Sequence, residues 1–72
     1  MQAIEPFMVV ALLEDLPDHG LCRGQVGTIV ESLGPEVFEV EFSGNDGRTY
    51  ATLALYAAQL IVLHHEKVNE AA

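Results

Sequence analysis

The sequence holds no tryptophan, one cysteine and three basic residues against eleven acidic ones. Each scarcity excludes something. With Cys22 alone, no internal disulfide can form, which suits the reducing cytoplasm expected as the location. As a nucleophile Cys22 would need a base beside it, and the sequence-near candidate is His19; a small semi-buried thiol is the plainer expectation. Arg23, Arg48 and Lys67 are scattered through a chain of net charge −8. They cannot form the cationic stripe that neutralises phosphates, so nucleic acid is excluded as a partner, and an anionic membrane surface is disfavoured for the same reason. No apolar run reaches membrane-spanning length. The opening MQAIEPFMVVALLEDLP lacks a positive n-region, carries Glu5 ahead of the apolar run Phe7–Leu13, and has no A-x-A-like cleavage site after it; it is read as structure and not as a signal peptide.

What is present is hydrophobic matter for a core. Half of the 72 residues are hydrophobic, enough for a packed interior and against disorder. A chain this short makes one small domain, residues 1–72, and buries only about 60% of its unfolded surface. Closing a sheet on itself, or pairing with a second copy, would help it.

The elements follow from local chemistry. Phe7–Leu13 is short, apolar and led by Pro6, which favours a strand buried on much of both faces. Glu14–Gly20 is turn chemistry: Pro17 drives Leu16 out of the helical region, and Asp18 and Gly20 suit a reversal. Val26–Leu33 reads as a second strand in which Gly27 marks a bulge or a close backbone approach. After the turn Gly34-Pro35-Glu36, the run Val37–Phe42 alternates strictly, with Phe38, Val40 and Phe42 on one side and Glu39 and Glu41 on the other. Asp46-Gly47 is a hairpin corner, Arg48–Leu55 pairs back, Tyr56–Gln59 forms one helical or 3₁₀ turn, and Leu60–Leu63 is a last strand. The expected fold is all-β: a small five-stranded SH3-like barrel with one short 3₁₀ turn before the last strand, its core over about residues 7–63 and a frayed tail over 64–72.

The glycines of Arg23-Gly24-Gln25-Val26-Gly27 suggest a phosphate-cradling loop at first sight. Such a loop needs a helix after it, whose N-terminal N–H groups face the anion. A β-branched run follows instead, so Gly24 and Gly27 are turn and strand positions.

The segments Val10–Glu31, Val37–Leu55 and Ala58–Leu60 together resemble a family of short bacterial proteins known only as a domain of unknown function. The shared pattern is roughly V-x-L-x-x-D-x-P-x-x-G-L-x-x-G-x-x-G-T-V, followed by an EVEF-type strand, D-G-x-T and a short tail strand. The resemblance implies an SH3-like barrel, and the turn-and-strand piece is also similar to KOW-type barrels and to the barrel of nitrile hydratase β-type subunits. The charge of this chain keeps the RNA role of KOW barrels from carrying over. The resemblance implies a binding partner, since some members are encoded beside a larger companion protein. It brings no catalytic residues.

Candidate chemistry is sparse. His64-His65-Glu66 could catch a metal ion adventitiously, but adjacent strand residues point to opposite faces and no second cluster completes a site, so no metal and no cofactor is expected. Glu39 and Glu41, two apart on one strand, share a face roughly 7 Å apart, either as a solvated surface or as a contact face for a basic partner. Arg48 is expected to pair with Asp46 or a cross-strand acid, and Tyr50 and Tyr56 are candidate groove aromatics. These residues point to a non-enzymatic protein-interaction module, acidic, contacting a basic protein through Glu39, Glu41, Asp46, Arg48 and Tyr50, in the manner of an inhibitor or immunity-type protein. The apolar first strand adds an expected homodimer or higher homo-oligomer. The alternative is an accessory subunit or small-ligand-binding barrel of a larger enzyme, with a pocket near His19, Cys22 and Tyr56.

Overall fold

The computed structural model describes residues 4–64. Five strands run in chain order as β1 (Val9–Leu12), β2 (Val26–Gly34), β3 (Val37–Ser43), β4 (Thr49–Tyr56) and β5 (Leu60–Val62), with 3₁₀ turns at Pro17–His19 and Ala57–Gln59. All pairings are antiparallel and form one sheet in the order β4-β3-β2-β1-β5. The all-β fold and the 3₁₀ turn before the last strand are as expected from the sequence. Beyond His64, the tail expected to fray lies outside the described residues.

The core follows the alternation of the strands. Val10 and Leu12 of β1, Ile29 of β2, Phe38, Val40 and Phe42 of β3, Leu55 of β4 and Leu60 of β5 form one buried cluster. Phe42, Leu12, Ile29, Val10 and Val40 are its fully buried side chains. Gly27 belongs to this cluster by what it lacks. A Cβ there would stand 2.8 Å from Val40 Cγ1 and 2.9 Å from the Phe42 ring, so the position is a close backbone approach. The bulges of β2 lie elsewhere, between Ile29 and Glu31 and between Ser32 and Gly34.

The first strand is shorter than the run Phe7–Leu13 suggests. Met8 N–H donates to Glu5 O at 3.3 Å, and Phe7 has φ 72°. That is the pattern of a type II turn, with Pro6 at its second position and positive φ at its third. Proline's fixed φ favours the turn, and Phe7 is carried 80% exposed into solvent. At the other end Leu13 is exposed.

The long connection between β1 and β2 is held by its own bonds. Leu16 and Leu21 bridge, with Leu16 N–H donating to Leu21 O at 2.9 Å and Leu21 N–H to Leu16 O at 3.2 Å. Pro17 opens the 3₁₀ turn and Gly20 closes it at φ 70°. Asp15 Oδ1 accepts from Arg23 N–H at 2.8 Å, Gln25 Oε1 accepts from Cys22 N–H at 2.9 Å, and Gly24 N–H donates to Leu12 O at 2.8 Å. Leu21 is buried and pins the loop to the core. At the β3–β4 hairpin, Gly44 N–H donates to Arg48 O and Gly47 N–H to Gly44 O, with Gly47 at φ 81°. This is a three-residue loop whose last position needs the left-handed region, which glycine enters without a Cβ clash.

Candidate interaction surface

Side chains that face one another across antiparallel strands point to the same side of the sheet, so the register draws the outer surface. The row Val9–Thr28–Glu41–Thr52 crosses β1, β2, β3 and β4. On one side of it lies the row Val26–Ala11–Ile61, wholly apolar, with Val26 and Ile61 about half exposed. On the other lies the row Glu31–Glu39–Ala54. The outside of the sheet therefore carries an apolar row across β2, β1 and β5, with Ala11 buried at its centre, and an acidic part over β2 and β3.

The acidic part joins three carboxylates. Glu39 and Glu41 project from β3, half-buried, and Glu31 stands opposite Glu39. Directly opposed Cβ atoms lie about 5 Å apart, and like charges placed so repel. No ion pair reaches any of the three among the described residues. Their neighbours on the β4 side are Ala54 and Thr52, too short to cover them.

The sequence points to Glu39 and Glu41, and the structure brings these two together. Glu31 was not singled out. The bulge at Val30 turns it outward, and no local signal in the sequence marks that bulge. Asp46 and Arg48 are placed apart from the three carboxylates in sequence and pair with each other in the β3–β4 hairpin. Asp46 Oδ1 accepts from Arg48 N–H at 3.0 Å, and Oδ2 lies 4.0 Å from Arg48 Nε. Both side chains are largely exposed, so the ion pair contributes little. Tyr50 sits at the bulge of β4, where Phe42 pairs with Ala51 and Ser43 with Thr49. Its ring lies 6.5 Å from that of Phe42, tilted by 33°, and its hydroxyl accepts from Gln25 Nε2 at 2.7 Å. It ties the β4 edge to the start of β2.

Cys22 is exposed, correcting the semi-buried thiol expected. The loop that carries it satisfies its own backbone bonds and lies outside the sheet, and it is Leu21 and Leu16 that pack on the core. His19, Cys22 and Tyr56 are all exposed, and no hydrogen bond joins them among the described residues. The second 3₁₀ turn is tied down by Gln59, which accepts from Tyr56 N–H at 2.8 Å and donates to Glu14 Oε2 at 3.1 Å. Among the described residues no three His, Cys, Asp or Glu side chains gather as a metal site would need. His65 and Glu66 of the histidine pair lie outside the described residues. No helix among the described residues is long and apolar enough to cross a membrane.

Six residues of the loop and of β2 thus carry structure. Asp15 holds the loop, Pro17 and Gly20 bound the 3₁₀ turn, Leu21 is core, Gly24 has φ 89°, and Gly27 clears space for Phe42. No curated protein and no solved structure matches the chain. A family model does match, over residues 7–62, and the chain belongs to that family, a domain of unknown function (DUF4926).

Proposed function

We propose that the protein is a non-enzymatic interaction module on an SH3-like barrel, and that its acidic face binds a basic protein. The observation that carries this reading is the opposition of Glu31 and Glu39, with Glu41 beside them and no cation in ion-pair reach among the described residues. Like charges directly across a ladder cost stability, and no ion pair among the described residues offsets that cost. A lysine- or arginine-rich surface would offset it on binding and would be drawn in by the net charge of −8. The residues in contact are Glu31, Glu39 and Glu41, with the Asp46–Arg48 hairpin and Tyr50 at the rim.

Affinity capture from the native host, identified by mass spectrometry, tests the reading. Basic proteins should be retained at low salt and released as ionic strength rises, because exposed charge contacts are screened within about 10 Å at 0.1 M salt. A Glu31→Gln, Glu39→Gln, Glu41→Gln triple variant should lose them. Capture that ignores both salt and the triple variant would overturn it.

A second reading, self-association, is favoured by the row Val26–Ala11–Ile61, which is apolar and in which Val26 and Ile61 are about half exposed. Light scattering should then give twice the monomer mass or more, and Ile61→Lys should return the monomer. A monomer at high concentration would remove it.

A further inference from the structure

We propose that the outer edge of β4 takes up an extended partner segment of alternating basic and apolar residues as a sixth strand, its cations lying over Glu39 and Glu41. This rests on the acidic-face reading above and names the docking mode and the chemical pattern of the partner.

An edge strand turns half of its N–H and C=O groups away from its neighbour, and proteins ordinarily protect such an edge with charge, proline, shortness or cover. The two edges here differ. β5 is only three residues long. β4 is eight residues long, Thr-Tyr-Ala-Thr-Leu-Ala-Leu-Tyr, with neither a charge nor a proline in it. Among the described residues its only strand neighbour is β3. Apart from bonds to β3, no hydrogen bond among the described residues uses the backbone from Thr49 to Leu55. The edge is long, neutral and, among the described residues, unpaired.

The side chains beside that edge specify the occupant. On the outer face β4 presents Thr52 and Ala54, which stand opposite Glu41 and Glu39. A strand added to β4 lies two strand spacings from β3, roughly 10 Å. That gap passes over a methyl and a threonine side chain, and a lysine or arginine meeting a glutamate closes it. On the inner side, Leu53 lies between those two positions and is half-buried. Residues i and i+2 of the added strand then face the carboxylates, and residue i+1 packs beside Leu53. The fitting pattern is basic–apolar–basic. Main-chain bonds supply affinity in this mode of recognition, and alternate side chains supply specificity.

The test uses the full chain, labelled with ¹⁵N, titrated with a capped ten-residue peptide of alternating lysine and valine. Amide shifts should change along Thr49–Leu55. A peptide of identical sequence, N-methylated at three consecutive central residues, keeps its charges but loses donors on both of its edges. It should bind about fivefold more weakly or worse, the effect of losing one or more hydrogen bonds. The Glu39→Gln, Glu41→Gln double variant, which keeps side-chain shape, should weaken the unmethylated peptide by about threefold to tenfold, with less loss at high salt. A peptide of the same composition with its lysines contiguous should bind less tightly than the alternating one. Absence of shifts along β4 at millimolar peptide overturns the proposal. Equal binding of the methylated peptide, with loss in the double variant, overturns strand addition and leaves the acidic face standing. Binding that depends on methylation but is untouched by the double variant overturns the basic class of partner and the reading beneath it.

Discussion

Glu31 stands directly opposite Glu39 because one extra residue, Val30, is inserted in β2 between Ile29, which pairs with Val40, and Glu31. Without that insertion Glu31 would fall opposite Phe38, on the core side. A bulge leaves its extra residue unpaired and re-aims the side chains beyond it. Here it delivers a carboxylate to a face that already holds two.

Removing this opposition should stabilise the fold. Glu31→Gln is expected to raise the unfolding free energy by about 0.2–1 kcal/mol, the usual size of a cross-strand term. Urea denaturation at low and high salt checks it. The gain should shrink as salt screens the repulsion. A loss of stability, or a gain indifferent to salt, would show that Glu31 makes contacts other than the repulsive one.

Gly27 should tolerate no side chain. Its Cβ would meet Val40 and Phe42 inside 3 Å, both in the buried cluster. Gly27→Ala is expected to cost about 1–3 kcal/mol through overpacking. Gly34→Ala, where a Cβ meets nothing within 4 Å, is the matched control and should stay within about 0.5 kcal/mol. Equal midpoints for the two variants in chemical denaturation would contradict the close approach.

Tyr50 should act on stability through both ends of its side chain. Tyr50→Phe removes the acceptor of the Gln25 bond and is expected to cost about 0.5–1 kcal/mol, toward the low end because the ring is half exposed. Tyr50→Ala also loses the contact with Phe42, adding about 0.5–1.5 kcal/mol. If both variants unfold at the wild-type midpoint, Tyr50 serves contact with a partner and not the fold.

Phe7 should be better replaced by glycine. A non-glycine residue at φ 72° bears about 1–2 kcal/mol of strain, against about 0.5–1 kcal/mol for the added freedom of an unfolded glycine. The ring is 80% exposed and gives up little packing. Phe7→Gly is therefore expected to raise stability by up to about 1 kcal/mol in thermal or urea unfolding. A clear destabilisation would mean that the ring is held against the sheet in solution.

Much of the fold was legible in particular residues. Phe38, Val40 and Phe42 alternate with Glu39 and Glu41 so regularly that β3 and its two faces follow from the sequence, and burial agrees. Pro17, Gly20 and Gly47 announce their turns, proline because its φ is fixed and the glycines because they enter positive φ without a Cβ clash. Phe7 was misleading, since an apolar residue beside a strand reads as strand until the turn chemistry of Pro6 is given its weight. Gly27 was ambiguous between a bulge and a close approach, because either demands a missing Cβ and only the position of Phe42 distinguishes them.

The amino-acid order by itself determined which residues could be extended, where the chain had to reverse and that carboxylates would coat the outside, because backbone sterics and hydrophobic periodicity are local. Tertiary structure alone decided that Glu31 joins Glu39, that Val26, Ala11 and Ile61 form one apolar row, and that β4 pairs on one side only among the described residues. Those outcomes depend on register and strand order. Both are set by how the sheet fills its core across residues distant in sequence, and a shift of one residue in pairing exchanges the inner and outer faces.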